Sequence, residues 1–129
     1  MRVIDHNLQP KEEWRPGVLT RMQASALTET TALCVFEQWI SPGNGAQSHT
    51  HCVEEILTVL EGEAEVWLND ERRDLSAGQS VIVPAGSRHG FRNNGNATLH
   101  MQAILASATF EASYEAQAEA TTRWACEKT

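Results

Sequence analysis

Long apolar runs are missing from this chain. No window of about eighteen consecutive apolar residues occurs, so no membrane-spanning helix is expected. The opening stretch, MRVIDHNLQPKEEW, is charged and lacks the apolar core of a secretion signal, which makes the cytoplasm the expected location. Basic residues are outnumbered, with 10 Lys and Arg against 17 Asp and Glu and a net charge of -7. The one adjacent basic pair is Arg72-Arg73. Such a surface repels a phosphate backbone, and no helix-turn-helix pattern accompanies it, so neither nucleic-acid binding nor a self-contained transcription regulator is expected. Cysteine is sparse as well. Cys34, Cys52 and Cys126 are odd in number and form no C-x-x-C, which excludes a disulfide framework and a zinc knuckle. Cys34 sits in an apolar run and reads as a small core residue. Cys52 follows His51 and, in a strand, would face away from it.

What remains is a chain of 129 residues without internal repeats or a change in composition. That length bounds one domain, 1–129, large enough to bury a core. Its pattern is short apolar segments separated by turn signals. Arg2 to Asp5 is expected as an edge strand, Val18 to Met22 as a strand, and Ala32 to Ile40 as a long strand bounded by Ser41-Pro42-Gly43. Glu55 to Leu60 is apolar on both faces and reads as a buried strand. Shorter strands follow at 64–68, 72–75, 80–83 and 89–92, and Thr98 to Ala106 closes the series. In that last strand Leu99, Met101, Ala103 and Leu105 form the inward set, which turns His100 outward. A barrel core over about 18–106 is therefore expected, with 107–129 as a C-terminal extension. Within the extension, Tyr114 to Ala120 has helix propensity and predicts a short helix or a frayed tail. Many short strands with regular turns indicate an all-β sandwich or barrel.

Two stretches carry the chemistry. Between Gly43 and Gly62, His49 and His51 are two apart, so in a strand they project from one face. Imidazole and carboxylate are the usual ligands of iron, manganese, nickel and zinc. Between Gly78 and Asn93, His89 follows a Pro-Ala-Gly turn. Gly43, Gly62, Gly78 and Gly86 sit where tight turns call for positive φ, and Pro84 ends the strand before His89.

The pair of stretches resembles the two motifs of the cupin family. The first, G-x5-H-x-H-x3-E-x6-G, is filled by Gly43, His49, His51, Glu55 and Gly62. The second, G-x5-P-x-G-x2-H-x3-N, is filled by Gly78, Pro84, Gly86, His89 and Asn93. The resemblance implies a double-stranded β-helix, a small jelly-roll barrel with a metal inside it. It also selects Glu55 over its neighbour Glu54, which strand parity across the intervening turn does not do. His49, His51, Glu55 and His89 are then the expected ligands of one divalent transition metal. Iron, manganese or nickel suits this set best and zinc is also accommodated. Four ligands leave two octahedral positions open, as in catalytic rather than closed structural sites.

Phe91 shares the parity of His89 and is expected to line the substrate pocket beside it. Gln38 would do the same from the preceding strand, or sit at the barrel rim. His6 reads as a surface residue. Among cupins, the quercetin dioxygenase-like grouping combines three histidines with a glutamate. The resemblance therefore implies a metal-dependent enzyme on a small molecule, either dioxygenase-like or acting by Lewis-acid isomerase or lyase chemistry, with Glu55 also as base. A non-catalytic module that binds or senses a small ligand or metal is the alternative, and a purely structural metal is a third. Dimethylsulfoniopropionate-lyase-like cupins rely on a tyrosine in the barrel near the metal. The sole tyrosine, Tyr114, is expected beyond the last strand, which sets that activity aside. Four tryptophans, Trp14, Trp39, Trp67 and Trp124, exceed what a small core needs. Trp39 and Trp67 fall opposite the inward sets, so a homodimer interface is expected, with packing under loops as the other reading.

Overall fold

The computed structural model describes residues 1–126. Its strands are β1 (Glu12–Arg15), β2 (Val18–Ala24), β3 (Cys34–Ile40), β4 (Gly45–Thr50), β5 (Glu55–Glu61), β6 (Glu63–Leu68), β7 (Glu71–Ser76), β8 (Ser80–Val83), β9 (His89–Arg92), β10 (Leu99–Leu105), β11 (Phe110–Tyr114) and β12 (Thr121–Arg123). They form two six-stranded antiparallel sheets, in the orders β1-β2-β3-β10-β5-β8 and β12-β11-β4-β9-β6-β7. Consecutive strands β4 and β5 lie in different sheets, as do β8 and β9, so the chain winds around a common interior. This is the all-β jelly roll that the motifs imply.

Alternation explains which face each strand buries. Cys34, Phe36, Gln38 and Ile40 of β3 point inward and are all buried, as are Leu99, Met101, Ala103 and Leu105 of β10. The two strands pair without a slip from Leu99 opposite Ile40 to Leu105 opposite Cys34, so both inward sets meet in one layer. Burial raises the Cys34 thiol to about 11, with the Glu55 charge adding to the effect, which keeps it protonated and inert. Expected turns form where glycine was needed: Gly43, Gly62, Gly78 and Gly86 have φ of 85°, 88°, 88° and 78°. Asn93, at the end of the second motif, is buried and ties three segments together. Its amide donates to the Ile40 and Ala97 carbonyls, and its side-chain oxygen accepts from the Gly95 N–H.

Three expectations are corrected. Arg2 to Asp5 is not a strand; it leads into a single 3-10 turn at His6–Leu8, capped by the Asp5 carboxylate, which accepts from the Asn7 N–H. β5 is buried on one face only: Ile56, Thr58 and Leu60 lie outward and are part-exposed, since no further layer covers this sheet among the described residues. The extension forms no helix over Tyr114 to Ala120. The backbone there completes β11, turns, and returns as β12. A seven-residue helix without an apolar stripe cannot offset its nucleation cost, whereas pairing with β12 and β4 satisfies the β11 backbone, and the strand buries Phe110 and Ala112. Residues 127–129 of the expected extension lie outside the described residues.

Candidate metal centre

The two motifs meet in the interior because their strands are neighbours. His49 is in β4 and His89 opens β9, and the two are direct cross-strand partners. A bulge between Ala46 and His49 keeps both residues inward on one strand. His51 lies one residue beyond β4, and Glu55 opens β5 in the opposite sheet. The turn after Pro84 is held to the first motif by the Gly86 N–H, which donates to the His51 carbonyl. Glu54 is exposed, and Glu55 is buried at 3 % exposure.

Each imidazole is oriented by the backbone. Nδ1 of His49 meets the Gln47 carbonyl at 2.7 Å, Nδ1 of His51 the Glu111 carbonyl at 2.7 Å, and Nδ1 of His89 the Ser87 carbonyl at 2.9 Å. A carbonyl oxygen only accepts, so each Nδ1 carries the proton and each Nε2 of a neutral ring presents a lone pair. Those atoms converge with the carboxylate of Glu55, and the four ligand atoms lie within 4.8 Å of one another. Glu55 Oε1 is 3.0 Å from His89 Nε2 and 3.4 Å from His51 Nε2. His51 Nε2 is buried without a hydrogen-bond partner. Acceptors facing acceptors at this range are repulsive unless a cation or a proton lies between them.

The titration shifts follow from that crowding. Burial opposes ionisation of Glu55, but the imidazoles of His51 and His89 beside it outweigh that and hold the carboxyl at about 2. Burial also disfavours charge on His51, and there the adjacent Glu55 carboxylate wins and raises its pKa. His49 has no such partner; burial and the neighbouring His89 lower it to about 3. A single divalent metal satisfies all four donors together, and the group fits such a site.

A chamber of about 20 Å³ adjoins His49 and Glu55, enough for about one water. Gln38 and Phe91 both line it, and the Gln38 amide donates to the Thr20 hydroxyl. Trp14, Arg15, Ala46, Phe91 and Tyr114 line both this chamber and an open groove of about 890 Å³, and so form a collar between the two.

The collar contains the residues that sequence reading missed. Tyr114 is not beyond the strands: it ends β11 as the direct partner of His49 and stacks on its ring. The ground for setting aside a tyrosine-dependent lyase therefore does not hold. Trp14 and Arg15 lie outside every strand expected from the sequence, yet they end β1. Trp14 joins Phe36, Phe110 and Trp124 in an aromatic cluster, so two of the four tryptophans serve the barrel mouth. Trp67 lies outward and donates to Ser48. His100 faces outward as expected, stacked on Trp39 and bonded to Glu37.

Known proteins bear on this arrangement. The cupin domain model matches residues 36–105. The polyketide synthase protein CurC of Streptomyces cyaneus is 39 % identical over 102 residues, which cover 78 % of this chain and 66 % of that protein. Protein SchB of Streptomyces halstedii is 38 % identical over 96 residues, covering 74 % and 70 %. The chain thus spans about two thirds of the length of these relatives. Among solved structures, the polyketide cyclase RemF of Streptomyces resistomycificus superposes with a TM-score of 0.72 at 21 % identity, covering 81 % of this chain and 78 % of that one. At that identity the likeness shows the fold.

Proposed function

The chain belongs to the cupin domain family, and from that premise we propose that it is a metal-dependent enzyme acting on a small, oxygen-rich molecule with a 1,3-dicarbonyl unit. The observation that carries this is the convergence of three imidazole lone pairs and one carboxylate on a point behind the collar of an open groove. The names of CurC, a polyketide synthase protein, and RemF, a polyketide cyclase, support a polyketide-like substrate.

His49, His51, His89 and Glu55 would hold the metal, with iron, manganese or nickel suiting the nitrogen and oxygen donors and zinc also accepted. When bound, the metal polarises a carbonyl oxygen as a Lewis acid. Glu55 is the sole carboxylate lining the chamber among the described residues. Held at about 2, it is a weak base and serves first as a ligand. Proton transfer to it is confined to carbon acids that are already acidic, such as the methylene between two carbonyls. That proton passes to Glu55, the resulting enolate carbon bonds to a second carbonyl carbon of the same molecule, and the proton then passes to the new alkoxide. Burial raises the Tyr114 pKa, against the pull of Arg15, so its hydroxyl stays protonated and donates to the oxygen on which charge develops. Gln38 and Phe91 bound the space beside the reacting carbons.

Dioxygenase-like turnover of an enediol or catechol is the second reading, supported by a chamber whose size suits a molecule such as water or dioxygen. Incubation of metal-loaded protein with short polyketones, with and without oxygen and followed by mass spectrometry, separates the readings. Products isomeric with the substrate, or lighter by one water, in the absence of oxygen are expected. Products bearing added oxygen, formed only in air, would establish the dioxygenase instead. Tight binding without any product would make the barrel a binding module.

A further inference from the structure

The arginines of this chain divide into two groups. Arg2, Arg21, Arg72, Arg73 and Arg88 each have a carboxylate partner. Arg15, Arg92 and Arg123 have none among the described residues, and all three line the groove in front of the metal centre. In a protein with a net charge of -7, unpaired cations would not gather in one groove by composition alone. The one carboxylate among the groove's lining residues, Glu115, is already paired with Arg88.

Two of the three are set in place. Arg15 is half-buried, and its Nε donates to the Gly45 carbonyl at 2.7 Å while its guanidinium also interacts with the Tyr114 hydroxyl, which together fix it in the groove. Arg123 lies over the Trp14 ring at 4.0 Å, and its Nε is buried without a partner among the described residues. The two come from opposite ends of the chain, β1 and β12, and act on each other and on Tyr114, which sits with them in the groove. Arg15 also lines the inner chamber together with His49 and Glu55. A partly buried guanidinium without a counter-ion is costly. Its planar donors match a carboxylate in two-point geometry.

We infer that Arg15 and Arg123 bind the carboxylate of a free-acid substrate, with its dicarbonyl oxygens directed past the collar toward the metal site. This rests on the proposed function and narrows it to a carboxylate-ended dicarbonyl, as distinct from an ester or a carrier-bound thioester. Arg92, at the groove rim, adds attraction on approach.

The test uses 4,6-dioxoheptanoate and its methyl ester, which share the diketone and differ in charge. Calorimetric titration of metal-loaded wild-type protein is expected to show the acid binding about tenfold more tightly than the ester. In Arg15→Gln and Arg123→Gln that preference falls toward unity because the acid loses more affinity than the ester, in protein that still carries its metal. Equal affinity of acid and ester for the wild type overturns the inference and leaves the metal-chelate reading standing. A preference that survives in both variants overturns it too. If neither compound binds, the inference falls together with the chelate reading. The wild-type comparison needs no variant to fold.

Discussion

Tyr114 lies flat against His49, with ring centroids 4.9 Å apart and planes inclined by 30°. The contact exists because β11 pairs with the end of β4, placing the two residues opposite each other. It brings a phenol hydroxyl to the collar while Nδ1 of His49 is held by the Gln47 carbonyl. The tyrosine thus has two separable parts: a ring that braces His49 and a hydroxyl that interacts with Arg15.

Substituting Tyr114→Phe removes the hydroxyl and keeps the ring. Metal content and melting temperature should stay near wild type, while kcat on a diketone substrate falls about a hundredfold, the scale for losing one donor to a developing oxyanion. Tyr114→Ala should also loosen His49 and lower metal affinity. If Tyr114→Phe turns over at the wild-type rate, the hydroxyl has no part in the reaction.

Metal removal and His51→Ala address the cluster itself. Tag-free wild-type protein should carry about one equivalent of a divalent transition metal by mass spectrometry, and His51→Ala should carry little. The barrel's apolar interior does not depend on these four residues, so the chelated protein should remain folded. Its melting temperature should rise again on adding metal, because a ligand bound 100-fold above its Kd stabilises by about 2.7 kcal/mol. Loss of the far-ultraviolet strand signal on chelation would instead make the metal a structural one.

Most of the fold and the four clustered residues were legible in the sequence because both are encoded locally. The inward sets of β3 and β10 follow from alternation, and the four clustered positions match spacings within two short motifs. Apart from Phe91, the collar and the neighbouring Arg123 were not legible. Tyr114 reaches the site through the distant pairing of β11 with β4, whereas Trp14, Arg15 and Arg123 lie in local hairpins and reach it through side-chain contacts, Trp14 with Phe110, Arg15 with the Gly45 carbonyl and Arg123 with Trp14, which leave no local signature. Local propensity even pointed the other way, since Tyr114 to Ala120 is rich in Ala and Glu. The two-faced apolar pattern of β5 misled for a related reason: Ile56 and Leu60 look like core residues, but the outer face of that sheet is open among the described residues.

Asn93 offers a test of the fold that is independent of the metal. Its side chain donates to two carbonyls and accepts one N–H inside the barrel. Asn93→Asp replaces the donor amide by an oxygen facing the Ile40 and Ala97 carbonyls. Chemical denaturation should show a loss of about 3 kcal/mol, from buried groups left unsatisfied and a charge left unpaired. A loss close to that of an exposed substitution would mean that the network contributes little.

Glu37 gives the protein a carboxylate whose contribution to stability depends on pH. It sits on the outward face of β3 yet is buried at 6 % exposure. Arg21 reaches it at 2.9 Å and His100 at 2.8 Å, and Trp39 covers His100 in a stack. Burial would raise this carboxyl, but the hydrogen bonds from His100 and Arg21 outweigh that and hold it below its usual 4.5. A carboxyl depressed in the folded state stabilises above its unfolded pKa, and that stabilisation is lost as pH falls through the lower folded value. The stability gap between wild type and Glu37→Gln, from urea unfolding, should therefore be roughly 1–3 kcal/mol at about pH 5. Below that pH the gap should narrow, because the wild type takes up the proton that the variant cannot, while other carboxylates cancel in the difference. A gap that holds its size or widens into acid would show that the ion pairs with Arg21 and His100 do not govern this residue.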